Sequence, residues 1–213
     1  MILIYNHDTR EEMISPFNLH HQNNEIDSKI VVALERLSEA FRVLLWNESK
    51  LTSLSPIQIQ ILIFLLFQPV EKCRVSYLAK EFNMSKPTIS DSVKSLLAKG
   101  LIQRNDDALD SRSFTVSLTE TGKLTAIQSA DFTRSIENPV SLLAPQQKEI
   151  MLDGLLKIIQ ELNKAEIITV QRMCFTCTHY RVHDSGHYCK LLQMQLAYKE
   201  IRTDCPEHEA ISL

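Results

Sequence analysis

Apolar side chains recur with a helical period over most of the chain. Between residues 26 and about 46 they return at intervals of three and four, which predicts an amphipathic helix. A second helix is predicted from Ser55-Pro56 to about Phe67, because serine caps helices well and a proline at the first helical position loses no hydrogen bond. That helix is apolar nearly all round, so we expect it to be buried.

Two shorter helices and a β-hairpin follow. The pattern predicts a short helix over residues 76–82, a turn at residues 83–84 and a capped helix over residues 85–99. The spacing then alternates over residues 101–104 and 113–118, which is typical of two strands joined by a polar loop. A short helix, a brief turn and a second capped helix form a helix-turn-helix unit, and the hairpin directly after it is typical of a wing.

Helical spacing returns after the hairpin. One helix is predicted from Thr119 to about Asn138, where Pro139 is expected to break it. A last long helix is predicted over residues 145–165, and its inward side chains are expected to be Ile150, Met151, Leu155, Ile158, Ile159 and Leu162. Residues 1–24 show no sustained period, so we interpret them as an N-terminal arm with a short extended piece at residues 2–5.

Composition narrows the class of protein. Of the 213 residues, 44% are hydrophobic and 23% are charged, as in ordinary globular domains, and only 4 are Gly. The sequence contains neither a Walker-type nor a dinucleotide-binding glycine pattern. The longest apolar stretch, residues 57–67, is too short to span a bilayer and no leader pattern opens the chain, so we expect a cytoplasmic protein without membrane contact.

Charge is distributed unevenly along the chain. The net charge is −3, yet residues 72–112 hold eight Lys or Arg against five Asp or Glu. On the capped helix, the side chains that point away from the apolar side are small or polar: Pro87, Thr88, Asp91, Lys94 and Ser95. Such a face suits a helix that lies in the DNA major groove, although a single helix of this kind is also typical of plain solvent exposure.

Six segments in this order resemble the MarR-type transcriptional regulators. The resemblance covers about residues 25–164, and its segments are residues 54–62, 75–79, 85–90, 97–102, 110–113 and 118–122. The most specific is the wing, Asp110-Ser111-Arg112-Ser113 followed by Leu118-Thr119-Glu120-Thr121-Gly122. The resemblance implies a mainly α (α+β) fold, a winged helix-turn-helix domain with long dimerisation helices over residues 25–168, between the arm and a small cysteine-rich module at residues 169–213.

The resemblance implies a homodimeric DNA-binding regulator and not an enzyme. The helices over residues 26–46 and 145–165 would form the dimer, so that two recognition helices face major grooves about 34 Å apart on a pseudo-palindromic operator in double-stranded DNA. Asp110 is expected to orient Arg112 towards the DNA, and Asp91 would repel phosphate unless it accepts a hydrogen bond from a cytosine amino group. A small-molecule effector is a further partner that the family accommodates. The candidate DNA-contacting residues are Lys86, Pro87, Thr88, Ser90, Asp91, Lys94, Arg104, Asp110 and Arg112, with Lys99 as a further phosphate contact.

Four of the five cysteines lie close together near the C-terminal end. They are Cys174, Cys177, Cys189 and Cys205, and the segments between them are two, eleven and fifteen residues long. A C-x2-C pair and two further thiolates complete a tetrahedral site, so we predict a metal site with these four ligands. Four of the seven His fall in the same segment, so a mixed Cys and His set is an alternative, and four buried free thiols are another. The segment is polar, however, and needs a stabiliser beyond its own core.

The metal is either zinc or iron. Zinc is the base-rate choice for a small four-thiolate module, and we favour it because the many charged residues of the segment suit a buried cluster poorly. A single C-x2-C followed by two separate Cys, with Tyr180 three residues after Cys177, is nevertheless similar to the ligand layout of high-potential iron–sulfur proteins. A [4Fe–4S] cluster is therefore the alternative cofactor, and it would imply a sensor instead of a structural staple.

Cys73 and two other classes of function complete the set of hypotheses. Cys73 is interpreted as a partly buried structural cysteine, with a redox-sensing thiol beside Lys72 and Arg74 as the alternative. A metal-stapled protein–protein adaptor is the second functional hypothesis. A zinc enzyme is the third, and four thiolates argue against it because they leave no open position for water.

Overall fold

The computed structural model describes residues 14–106, 114–183 and 186–211. They form a winged-helix domain followed by the cysteine module, which we define as the chain from residue 169 onward. The extended piece expected at residues 2–5 and most of the loop expected at the hairpin tip lie outside these ranges. Within them the helices are α1 (Leu19–Asn24), α2 (Ile26–Thr52), α3 (Pro56–Phe67), α4 (Val75–Glu81), α5 (Lys86–Ala98), α6 (Glu120–Ser129), α7 (Arg134–Ser141) and α8 (Pro145–Lys164).

Helix α3 lies at the centre of the winged-helix domain, as its sequence predicts. The Ser55 hydroxyl accepts from the backbone N–H of Gln58, and the Gln58 side chain accepts from the N–H of Ser55, so the helix begins with a reciprocal pair of capping bonds. The side chains of Ile59, Ile61 and Leu62 have no exposed surface. Helices α4, α5 and α6 and the hairpin pack around them into one apolar core.

The wing is an antiparallel hairpin of β1 (Ile102–Asp106) and β2 (Phe114–Leu118), in which Ile102 pairs with Leu118 and Asp106 with Phe114. Phe114, Val116 and Leu118 pack on the core, as the alternation predicts. The N–H of Val116 also donates to the Cys73 carbonyl at 2.9 Å, so β2 is held on both of its edges.

Several boundaries differ from the sequence prediction. Residues 19–24 of the expected arm are helical, because the Asn18 side chain accepts from the N–H groups of His20 and His21 and caps α1. Helix α2 continues past Trp46 to Thr52. The helix expected over residues 119–138 is interrupted by a 3₁₀ turn at Ala130–Thr133, and Pro139 lies inside α7, which ends two residues later.

Helix α8 has two apolar faces, and the sequence prediction found only one of them. Leu156 is 2% exposed because the cysteine module covers it, and Leu152 and Ile159 pack against the same cluster. Three side chains that were expected to point inward, Ile150, Met151 and Ile158, are exposed in the single chain.

The cysteine module is a small three-stranded sheet on the side of α8. Its strands are β3 (Tyr180–His183), β4 (Gly186–Cys189) and β5 (Met194–Leu196), paired antiparallel in the order β3-β4-β5. Within the described ranges no single helix is long and apolar enough to cross a membrane, and α2 and α3 pass that test only as a pair bent by 90°.

Candidate nucleic-acid interface and cysteine cavity

Helices α4 and α5 form a helix-turn-helix with a tight connection. Asn83 has a positive φ of 52°, a conformation that asparagine tolerates better than most residues. The N–H of Met84 donates to the Ala79 carbonyl at 2.9 Å, which closes the end of α4. The turn that the sequence predicted at residues 83–84 is therefore present, and it fixes the angle at which α5 leaves the core.

The inner face of α5 is anchored in the core and its N-terminus is capped. Ile89, Val93 and Leu96 are almost completely buried against α3 and the hairpin. The Ser85 hydroxyl lies 2.7 Å from the Thr88 hydroxyl and accepts from the Thr88 N–H at 3.3 Å. These contacts hold α5 in place against the core, and the helix face opposite Ile89, Val93 and Leu96 points to solvent.

The outer face of α5 carries the side chains that the sequence predicts to contact DNA. They are exposed, except for half-buried Ser90: Lys86, Pro87, Thr88, Ser90, Asp91 and Lys94. The Lys94 ammonium lies 3.2 Å from the Asp91 carboxylate, so the two opposite charges neutralise each other on the surface. Asp91 therefore repels a nearby phosphate less than an isolated carboxylate would.

Two other cations near α5 are held by the protein itself. The Arg104 guanidinium lies 4.2 Å from the centre of the Phe114 ring, and its Nε donates to Asp106 at 2.5 Å. The Lys99 ammonium donates to the Ser53 carbonyl at 2.7 Å, where α2 ends in a left-handed residue. Lys99 thus fastens α2 to the recognition unit, and Arg104 lies flat on the wing. The wing residues Asp110 and Arg112 lie outside the described residues.

A glycine that the sequence analysis did not assign a role sets the position of the wing. A Cβ atom at Gly122 would lie 1.7 Å from the carbonyl oxygen of Leu101, so only glycine allows α6 to approach the start of the wing this closely. The Thr119 hydroxyl donates to the Gly100 carbonyl at 2.7 Å and holds the same junction. The sequence contains this glycine in the segment Thr119–Gly122. It does not show that the glycine lies against the Leu101 carbonyl.

The four cysteines of the module line one cavity. It measures about 30 Å³, and its other walls include Tyr180, Leu191, Leu192 and Leu196. The cysteines reach it from a 3₁₀ turn, from the residue after that turn, from β4 and from the C-terminal segment, so distant parts of the module converge there. The cysteine spacing therefore predicted a real side-chain cluster.

Burial and the neighbouring cysteines disfavour the charged form of Cys174 in this cavity. Burial raises the pKa of the Cys174 thiol, and the nearby Cys205, Cys189 and Cys177 raise that pKa further. Against this, the backbone N–H of Arg202 donates to the Cys174 sulfur at 3.3 Å, and the Arg202 guanidinium lies 3.4 Å from the sulfur of Cys205. Four thiols in one place become thiolates together only if a metal centre balances their charge.

Two histidines of the module are hydrogen-bonded away from the cavity. The His187 ring bonds the Tyr180 hydroxyl at 2.5 Å, and His208 lies 3.0 Å from the Thr176 hydroxyl. His179 lines the cavity, and its buried Nε2 has no hydrogen-bond partner among the described residues, although a carboxylate oxygen of Glu209 lies 3.2 Å away. Across the described part of the chain, no group of three or more His, Cys, Asp or Glu side chains is arranged to hold a single metal ion.

Arg172 joins the cysteine module to the helix-turn-helix, and the sequence analysis missed it. Its guanidinium donates two hydrogen bonds to Asp204, at 2.6 and 3.0 Å, and two to Glu81 of α4, at 2.5 and 3.1 Å. A further bond reaches the Tyr77 hydroxyl at 3.0 Å. The side chain of Arg172 is only 11% exposed, and its partner Glu81 lies 91 positions away in the sequence, which explains why no local pattern reveals the pair.

Cys73 is structural in character. It is 3% exposed, and its sulfur donates to the Pro69 carbonyl at 3.4 Å. Burial, reinforced by the charge of Glu71, raises the pKa of this thiol to about 11, so it stays protonated at neutral pH. The alternative of a redox-sensing thiolate, based on Lys72 and Arg74, is therefore wrong for this environment.

A second cavity, of about 410 Å³, opens between α4, α8 and the cysteine module. Its walls include Tyr77, Asn163, Arg172 and Phe175. The cavity has the size of a small-molecule site, although its wide opening suits solvent equally. The small-molecule effector that the sequence resemblance implies stays a prediction.

Comparisons with known proteins agree with this geometry. The MarR family model matches residues 52–113, which run from the last residue of α2 to the residue before β2. The fold is similar to a crystal structure of the S. aureus MepR–DNA complex, at 22% identity and a TM-score of 0.55, over 62% of this chain and 97% of that one. It is also similar to Streptococcus pneumoniae FabT in complex with DNA, at 22% identity and a TM-score of 0.55, over 64% and 97% of the two chains.

A third solved structure is similar over a comparable share of the chain. It is a MarR transcriptional regulator from Methanosarcina mazei Go1, at 20% identity and a TM-score of 0.54, and the likeness covers 65% of this chain and 98% of that one. No curated protein sequence matches the chain. The winged helix-turn-helix fold is confirmed by these likenesses, which cover about two thirds of this chain.

Proposed function

We propose that the winged helix-turn-helix domain of this chain is of the MarR type and that the protein is a sequence-specific transcriptional regulator. It acts as a homodimer on a pseudo-palindromic operator, and its C-terminal four-cysteine site holds a metal centre. The observation that carries the proposal is the structure of α5, whose inner face is locked into the core while its outer face is small, polar and exposed beside a wing.

The recognition helix supplies both phosphate and base contacts. Lys86, in the first turn of α5, lies where a helix N-terminus approaches the DNA backbone, and its charge adds to the helix dipole. Thr88, Asp91 and Lys94 follow along the exposed face and are placed to reach base edges. Together with the predicted wing contact of Arg112 and its orienting partner Asp110, these residues compose the DNA surface.

The exposed apolar faces of the two longest helices support the homodimer. Ile26, Ile30 and Phe41 of α2 are all at least two-fifths exposed, as are Ile150 and Ile158 of α8. Single chains rarely leave apolar patches of this extent in water, so these faces are expected to be covered. They belong to the same two helices through which MarR-type regulators dimerise, and a second copy of the chain is therefore the proposed occupant.

The dimer is tested by a pair of equally exposed apolar residues. Ile150 of α8 is 67% exposed and Val182 of the cysteine module is 65% exposed. We expect Ile150→Glu to weaken the dimer, because it places charge in the proposed interface, and Val182→Glu to leave it intact. Sedimentation velocity over a concentration series measures both. A monomeric wild-type chain at all concentrations would exclude the homodimer.

DNA recognition is tested by selection from a random duplex library. We expect the protein to enrich an inverted repeat with half-site centres one helical turn apart, roughly 10–11 base pairs. Enrichment of no motif, or of a single asymmetric site, would contradict the proposal.

Salt dependence of binding to the selected site then assigns the phosphate contacts. Lys86→Ala is expected to weaken binding and to lower the slope of log affinity against log salt by about two, one for each protomer. Lys190→Ala removes an equally solvent-exposed charge from the cysteine module and serves as the matched control. Equal slopes for the two variants would show that Lys86 does not contact phosphate.

A further inference from the structure

We propose that Arg172 is a positioning residue for DNA recognition: it fixes the helix-turn-helix relative to α8 and thereby sets the distance between the two recognition helices of a dimer. The proposal rests on the proposed function, because it concerns a homodimer that reads DNA. It requires no cofactor in the cysteine module, since every contact that carries it is made between protein atoms.

The apolar cores do not join α8 to the helix-turn-helix. The core around α3 includes side chains of α4, α5 and the hairpin and, among the described residues, none of α8. Leu152, Leu156 and Ile159 of α8 belong instead to the core of the cysteine module. That second core contains no described side chain of α4 or α5. Apolar packing therefore links α8 to the module and leaves the angle between α8 and the helix-turn-helix to other contacts.

The module is fastened to α8 by hydrogen bonds as well as by apolar packing. The Gln160 side chain of α8 donates to the carbonyl of Phe175, whose ring is buried in the core of the module, at 2.6 Å. The Asn163 side chain donates to the carbonyls of Ile168 and Thr169, each at 2.9 Å. The first part of the module therefore follows α8 as one body.

From this part of the module, Arg172 reaches α4 with all five N–H groups of its guanidinium. Two of them donate to Asp204, two to Glu81 and one to the Tyr77 hydroxyl. Because these five donors form a rigid planar fork, their complete use ties α4 to the module in a single geometry. The side chains of Arg172 and Glu81 are 11% and 17% exposed, so solvent and salt screen their pairing weakly.

Two neutral hydrogen bonds lie beside this bridge. The Thr169 hydroxyl donates to the Lys80 carbonyl at 2.5 Å, and the Asn83 side chain donates to the Ile167 carbonyl at 3.1 Å. Asn83 is the left-handed residue of the turn that leads into α5. Neutral hydrogen bonds are roughly half as strong as those between charged groups, so loss of Arg172 is expected to loosen the helix-turn-helix most.

These contacts form a continuous path from the proposed dimer interface to the DNA surface. Helix α8 is one of the two proposed dimer helices, the module is fastened to α8, and Arg172 joins the module to α4. Without this bridge, α5 of each protomer would adopt several positions relative to the dimer axis, and only a fraction of these would match the operator. The apparent affinity falls by that fraction, and the dimer accepts more than one half-site spacing.

The experiment measures the affinity of whole-chain variants for the selected operator and for two operators with half-sites one base pair closer or farther apart. We expect Arg172→Met to lose about 5- to 150-fold in affinity for the selected operator, the usual range of coupling between sites. We also expect it to lose most of the wild-type preference among the three spacings. Arg181→Met is the matched control and is expected to behave as wild type, because Arg181 donates to the Thr178 and Tyr180 carbonyls within the module.

A second variant guards against damage to the fold at Arg172. Glu81→Gln keeps the Arg172–Asp204 pair and weakens the grip on α4, so the same two changes are expected at a smaller size. The double variant is expected to bind as Arg172→Met alone does, because both substitutions break one bridge. A merely structural role would lower the melting temperature and leave the preference among spacings unchanged.

The outcomes separate the two proposals. Wild-type spacing preference in both Arg172→Met and Glu81→Gln would overturn the positioning role. So would losses of affinity that add in the double variant, or a loss that sedimentation velocity traces to a weaker dimer. Absence of operator binding by the wild-type chain would instead overturn the proposed function.

Discussion

The winged-helix domain and the cysteine module differ in the size of their apolar cores. The described core of the domain contains sixteen buried apolar residues, gathered around α3. The core of the module contains six, and one of these, Leu156, belongs to α8. Because burial of apolar surface is the main force that offsets the entropy of folding, the domain closes by itself and the module does not. A small unit of this kind folds when a metal centre ties its ends together.

The difference in core size also affects the function that each part can have. A domain with a dense core keeps the geometry of α5 fixed, which a DNA-reading surface requires. A module with a small core can change state if the proposed metal centre is lost. Arg172 lies between them, with Asp204 on one side and Glu81 on the other.

Removal of the proposed metal centre is expected to have the largest effect on the difference between the two regions. We expect chelation to unfold the cysteine module and leave the winged-helix domain folded, because metal binding supplies on the order of 10 kcal/mol to such modules. Hydrogen exchange should show loss of protection in β4 and β5 and continued protection in α3. Equal protection in both regions after the metal has been removed would show that the module is stable without it.

Core truncations should act on one region each. Leu62→Ala opens a cavity in the domain, and a cost of about 2–5 kcal/mol is expected for the unfolding of that domain, with or without cofactor. Leu196→Ala removes a buried side chain of the module and is expected to lower cofactor retention, with the melting of the domain unchanged. Calorimetry on the two variants measures this. A single transition that shifts equally in both would indicate one cooperative unit.

Substitution of the glycine at the wing is expected to have a smaller and more local effect on stability. Gly122→Ala forces a methyl group against the Leu101 carbonyl, and we expect a loss of roughly 3 kcal/mol, at the upper end of overpacking costs. Gly154→Ala in α8 meets no atom within 4 Å and is expected to stabilise the chain by about 0.5–1 kcal/mol. Denaturant unfolding distinguishes the two, and a neutral Gly122→Ala would mean that α6 and the wing are not in close contact.

The smallest expected effect comes from the cap of the recognition helix. Ser85→Ala removes the hydroxyl that accepts from the Thr88 N–H, which typically costs about 1 kcal/mol. Ser85→Asp restores an acceptor and is expected to recover most of the stability, although its negative charge should still weaken DNA binding. Chemical unfolding and operator titration, measured side by side, separate the two contributions; equal stability of Ser85→Ala and wild type would exclude the cap.

The features that could be predicted from sequence are those set by local chemistry. Ser55-Pro56 predicted the start of α3, and the alternation at residues 114–118 predicted the second strand of the wing. The cysteine spacing predicted a cluster of thiols. The second apolar face of α8 was missed because its partner, the module, offers no helical or strand period of its own.

Features that depend on distant residues were not visible in the sequence. The role of Gly122 is set by a backbone oxygen of another element, and that of Arg172 by carboxylates 91 positions before it and 32 positions after it. The choice between zinc and a [4Fe–4S] cluster stays a prediction.

The central claim for this protein is that two copies of α5 lie in successive major grooves. Methylation interference at guanine N7 tests this directly, because N7 faces the major groove. On the selected operator we expect two patches of interference whose centres lie one helical turn apart, roughly 10–11 base pairs. We also expect Thr88→Ala to alter the interference within both patches. A single patch, or undiminished binding to fully methylated DNA, would contradict the account.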